Sequence, residues 1–158
     1  MDCRRVSEGK TLLKQKSLGM NIGIESSDAQ DRVAKLPRAR TFEDLLAWQK
    51  ARHLTKKMYE VTRSPTFRLA GQSQRAAVSI MANIAEGFDR RGAGEFVHFL
   101  SYSKGSCSEL RSHLFVALDS GHIGDEEFSE LKFFADEVSR LIQSLIASLQ
   151  RSQAKQEK

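Results

Sequence analysis

Three groups of side chains in this sequence have types and spacings that could support chemistry. Glu95-x-x-His98 is half of a di-metal carboxylate pattern, and Glu109 stands four residues before His113. A di-iron site inside a helix bundle needs two Glu-x-x-His motifs and further inward carboxylates. This chain has one such motif, and His53 and His122 have no matching carboxylates. No metal and no cofactor is expected. Cys107 is the one thiol after residue 40, and it lies on an apolar helical seam, where a cysteine acts as a small hydrophobe. Ser79, Ser103 and Ser106 fall inside helical periods, with no strand-to-helix elbow to activate a hydroxyl. No enzyme is expected.

The remaining polar constellations suit recognition better than catalysis. Arg75, Ser79, Asn83, Glu86 and Arg90 follow at spacings of four, four, three and four, so they share one helical face. His98, Tyr102, Ser106, Glu109 and His113 do the same further on. Such stripes are either wet surface or a face that meets other subunits or a polar ligand. Arg75, Ser79, Asn83, Glu86, Ser106 and Glu109 are the candidate polar interface. The segment Asp89-Arg90-Arg91-Gly92-Ala93-Gly94 precedes a helix start. Free N–H groups and two guanidinium groups there suit a phosphate, making Arg90 and Arg91 the candidate phosphate contact. The chain lacks a full G-x-G-x-x-G and a Walker lysine, so a nucleotide pocket is not expected.

Four helical periods must position these residues. Thr41-Phe42-Glu43-Asp44 resembles a capping box, followed by Ala47, Ala51, Leu54, Met58 and Val61 at spacings of four and three. Ser64-Pro65 ends that helix. The second runs from about Ala70 to Phe88 over Ala76, Ala77, Ile80 and Ile84. The third runs from about Gly94 to Ser120 over Phe96, Leu100, Ser103, Cys107, Leu110, Leu114 and Ala117. Gly105 sits inside it at a cost of roughly 1 kcal/mol, which a closely packed backbone would rationalise. The fourth carries Phe128, Leu131, Ala135, Val138, Ile142, Leu145 and Leu149. A second apolar row, Phe134 and Leu141, suggests more surface to bury than one partner covers. The fold predicted is all-α: an antiparallel up-down four-helix bundle.

The 158 residues carry a net charge of +5, unevenly placed. Residues 1–40 hold 9 basic and 5 acidic residues and no aromatic residue. They read as a disordered or partly helical N-terminal arm. Residues 151–158, with 3 basic and 1 acidic residue, read as a basic tail. The bundle between, residues 41–150, is close to neutral but split: +4 over 41–91 and −5 over 92–150. A nucleic-acid role therefore rests on the ends, or on the basic half being displayed apart from the acidic half. Two cysteines without a C-x-x-C point to a reducing, cytoplasmic setting. The N-terminus lacks the continuous apolar centre of about 7–15 residues that a signal peptide needs. No window reaches the ~20 apolar residues of a membrane span. Met20 is an alternative start.

Phe42-Glu43-Asp44-Leu45 with Trp48-Gln49-Lys50-Ala51, Gln72-x-x-Arg75-Ala76-Ala77-Val78-Ser79-Ile80, and Asn83-Ile84-Ala85-Glu86-Gly87 with Arg90 carry a resemblance. So do Glu95-Phe96, Phe99-Leu100, Gly105-Ser106 and Glu109-Leu110. Over about residues 41–150 the chain resembles the 23S rRNA intervening sequence protein family. It departs from the family pattern at Met81, where proline is usual, and at Phe67-Arg68, where Tyr-Gly is common. The resemblance implies a bacterial cytoplasmic bundle assembling into a pentameric ring, with no established catalytic residue. A related branch, the accessory variability determinants of diversity-generating retroelements, binds nucleic acid. The expected partners are other copies of the chain, RNA or DNA, or a protein, and no membrane. The expected function is a non-enzymatic nucleic-acid-binding or adaptor bundle, with a protein-only scaffold as the alternative.

Overall fold

The computed structural model describes residues 39–63, 67–90 and 92–156. The expected arm, 1–40, lies outside them except for its last two residues. Four helices make up the fold: α1 (Leu46–Val61), α2 (Ala70–Asp89), α3 (Ala93–Asp119) and α4 (Asp125–Gln156). No strand occurs among the described residues. Neighbours in sequence pack as neighbours in space, and α4 closes the ring against α1.

Paired side chains fix the helix directions. Lys50 pairs with Glu137 and Lys57 with Glu130, each at 2.9 Å. Positions rise along α1 while they fall along α4, so the two are antiparallel. Thr55 reaches the Ala77 carbonyl while Gln74 reaches Thr62, which sets α1 against α2 the same way. Phe88 meets Phe96 and Ser103 meets Ile80, reversing α3 on α2. Arg111 meets Asp136 and Phe115 meets Phe128, reversing α4 on α3. The bundle is up-down, as the short connections require.

The three-four spacing delivers its core. Leu54, Met58, Ile80, Ile84, Leu100, Leu110, Leu114, Leu131, Val138 and Ile142 are fully buried, each side chain worth roughly 1.5–3 kcal/mol of transfer free energy. Helix ends follow local chemistry. Gly121 takes φ 70°, the His122 N–H donates to the Ala117 carbonyl and the Gly121 N–H to Leu118. That is a Schellman stop, which needs a left-handed residue. At the start of α4 the Glu127 carboxylate accepts from the Gly124 N–H.

The structure corrects four sequence expectations. First, the expected capping box of Thr41 and Asp44 is present, but it caps a 3-10 turn over Phe42–Asp44, and α1 begins at Leu46. The Asp44 carboxylate accepts from the Arg40 and Thr41 N–H groups, which lowers its pKa from the ordinary value. Second, no backbone packs on Gly105, since a Cβ there would meet nothing within 4 Å. The glycine at a close contact is Gly87, where a Cβ would lie 2.6 Å from the Phe99 Cβ. Third, the second apolar row of α4, Phe134 and Leu141, finds partial cover within its own bundle, with Phe134 edge-on to His53 of α1. Fourth, the residues set apart as a basic tail begin as a continuation of α4 through Gln156.

Two predictions follow from packing and charge. Gly87→Ala should destabilise by about 1–3 kcal/mol through overpacking, while Gly105→Ala should stabilise by about 0.5–1 kcal/mol. Urea denaturation of both variants checks this. Lys132 donates to Asp136 at 2.8 Å and Arg111 stands 3.1 Å away. The Lys132 hydrogen bond and the Arg111 charge hold that carboxyl below 3.8. A depressed carboxyl contributes stability above its unfolded pKa and loses it as pH falls through the folded value. The stability gap between wild type and Asp136→Asn should therefore be full at pH 6 and close below pH 3.8, as read by denaturation at each pH.

Candidate functional site

The polar stripes of α2 and α3 meet along one seam. Small residues bring these helices together: Gly87 lies under Phe96 and Phe99, and Ala76, Ala77 and Ser103 are buried between neighbours. At this separation side chains reach across to the facing backbone. The buried Ser103 hydroxyl donates to the Ile80 carbonyl at 2.8 Å, avoiding the roughly 1–3 kcal/mol cost of an unsatisfied polar group.

One turn outward, Ser79 and Ser106 face each other with hydroxyl oxygens 3.0 Å apart. Asn83 Nδ2 lies 3.0 Å from Ser79 Oγ and 2.8 Å from the Ser79 carbonyl. Ser106 Oγ lies 3.2 Å from the Tyr102 carbonyl. Each hydroxyl has one proton. A consistent chain therefore runs from Asn83 to Ser79, from Ser79 to Ser106, and from Ser106 to the Tyr102 carbonyl. Each serine hydroxyl proton in this chain is engaged.

The other candidates are distributed differently. Glu86 holds Arg90 at 2.7 Å, and the Arg90 guanidinium lies 5.3 Å from the Phe99 ring centroid. Arg90 is thus engaged by a carboxylate and an aromatic face, and Glu86's hydrogen bond raises its pKa further. Arg91 lies outside the described residues. Glu109 is exposed and makes no ion pair among the described residues. Arg75 lines a groove on the α1 side of α2, which Ser79 of the seam also lines. Glu95 and His98 are exposed at the start of α3, where His98 packs 4.5 Å from Tyr102. Among the described residues no three His, Cys, Asp or Glu side chains gather as a metal site. Burial pushes the Cys107 thiol up to about 12, so a thiolate nucleophile is disfavoured there.

The charge split has a spatial counterpart. α1, α2 and the connection between them carry exposed Arg52, Lys56, Arg63, Arg68 and Arg75. Of these only Lys56 has an ion pair among the described residues, a 4.0 Å contact to Glu60. The acidic half spends two carboxylates on Lys50 and Lys57 of α1 and one on its own Arg111 and Lys132. Tyr59, 46% exposed, lines a groove with Arg75. It belongs to neither polar stripe, although Arg52, Lys56, Tyr59 and Arg63 recur at spacings of four, three and four.

Comparison with known proteins places this fold among relatives. The family model for the 23S rRNA-intervening sequence protein matches residues 43–144. A crystal structure of a protein of unknown function from the S23 ribosomal protein family of Bacteroides thetaiotaomicron VPI-5482 is similar in fold. The two are 19% identical with a TM-score of 0.61, over 64% of this chain and 98% of that one. No functionally curated protein matches the sequence. Among the described residues no helix is long and apolar enough to cross a membrane.

The serine seam gives a direct test. In a double-mutant cycle, Ser79→Ala and Ser106→Ala should couple by about 0.5–1.5 kcal/mol in folding stability. Additive effects would mean that the two hydroxyls do not share a hydrogen bond.

Proposed function

The chain belongs to the 23S rRNA-intervening sequence protein family, and on that premise we propose that it is a non-enzymatic bundle that binds nucleic acid as a homo-oligomer, a pentamer, in the cytoplasm. The observation that carries this reading is the set of exposed cations on α1, α2 and the connection between them. Arg52, Arg63, Arg68 and Arg75 are exposed there without ion pairs among the described residues. Repeating such a set around a ring multiplies weak phosphate contacts. The engaged serine seam and the elevated Cys107 pKa favour recognition over catalysis.

A protein-only scaffold is the alternative, favoured by exposed apolar side chains away from the cations, notably Phe133 at 59% and Tyr102 at 53%. In that reading the bundle grips a protein and its charge is incidental.

Fluorescence anisotropy with structured RNA and DNA at rising salt tests the proposal. Binding at low salt should weaken linearly in log Kd against log salt, by about 0.7–0.9 per phosphate contacted. No binding at low salt would refute it, and a protein partner retained after nuclease treatment would favour the scaffold. Light scattering should give five chains per particle.

A further inference from the structure

A groove of ≈ 610 Å³ runs between α1 and α2, with Tyr59 on one wall and Gln74, Arg75, Val78 and Ala82 on the other. Three of its polar side chains suit the base and the phosphate of a nucleotide. Tyr59 is an exposed aromatic ring at the groove, and a tyrosine face stacks on any base. Gln74 is held in place by donating from Nε2 to Thr62 Oγ1 at 2.8 Å, which leaves its carbonyl oxygen for a base edge. The Arg75 guanidinium folds back along α2, with Nη1 3.6 Å from where a Gly71 Cβ would sit. A side chain at Gly71 would crowd it. Arg75 is exposed and free of ion pairs among the described residues, so its charge is available for a phosphate.

The surroundings continue the same chemistry. Arg52 and Lys56 share the Tyr59 face of α1, and Arg63 follows just past the helix end. The first turn of α2, which supplies Gly71, holds no acidic residue. Glu60 is the one acid of α1 and lies 4.0 Å from Lys56.

We infer that the α1–α2 groove binds single-stranded nucleic acid, with a base stacked on Tyr59 and phosphates on Arg75 and its neighbouring cations. This rests on the nucleic-acid reading above and assigns it a site and a strand preference. An acidic protein segment would engage the cations but leave the ring and the fixed amide unused. A duplex keeps its bases stacked on one another and cannot offer one to Tyr59.

The test uses the full chain with fluorescein-labelled oligouridylate, oligothymidylate and a double-stranded RNA of equal length. Tyr59→Leu should weaken single-strand binding by about 5- to 100-fold, with little effect on any duplex binding. Tyr59→Phe should keep wild-type affinity. Arg75→Gln should lower the salt slope by about 0.7. Arg140→Gln, which removes an equal charge from α4, should leave the affinity within about twofold, as expected for a distant, independent site. The oligouridylate and oligothymidylate arms report whether the sugar matters. Circular dichroism confirms that each variant folds. If Tyr59→Leu and Arg75→Gln bind single strands as wild type does, the groove assignment is overturned while nucleic-acid binding stands. If wild type binds none of the three probes, both readings fail. A loss of particle mass in Tyr59→Leu, seen by light scattering, would instead place a second copy of the chain on the groove and overturn the assignment.

Discussion

Close contact between α2 and α3 is the constraint on which the rest of the bundle depends. Gly87 has no room for a Cβ beneath Phe99, and that contact sets how near the two backbones come. The short separation puts Ser103 within reach of the Ile80 carbonyl and Ser79 within reach of Ser106. A larger side chain along this seam would part the helices and leave buried hydroxyls without partners. The seam is therefore polar yet satisfied, which makes it a positioning element.

Charge organises the opposite side of the molecule. Lys50 and Lys57 of α1 are matched by Glu137 and Glu130 of α4. These pairs are partly exposed, and pairs of that kind contribute little to stability, on the order of 0–1 kcal/mol. Their larger effect is on distribution. They use acidic charge of α4 on the α1 side that faces it, while Arg52 and Arg75 have no ion pair among the described residues.

Element type and core were legible in the residues. The apolar positions at spacings of three and four placed Leu54, Ile84, Leu110 and Ile142 inside, because a residue's face on its own helix follows from 3.6 residues per turn. Boundaries were less so at α1. The capping box of Thr41 and Asp44 was legible, but it closes a 3-10 turn over Phe42–Asp44 with α1 starting only at Leu46, a break that apolar spacing does not register. Gly105 misled for a related reason. A missing side chain signals a close neighbour only if one is there, and the neighbour belongs to Gly87.

The candidate site divides along the same line. Helical spacing puts Arg75, Ser79, Asn83 and Glu86 on one face of α2, and the split between a basic and an acidic half is read from the residues directly. Only the tertiary structure decided what each of them touches. Ser79 found Ser106, Arg90 was taken by Glu86 and Phe99, and Arg75 came to line a groove with Tyr59. Helical periodicity fixes angles around one axis. The distance between side chains on different helices is set by how all four axes pack together, and no single stretch of sequence contains that.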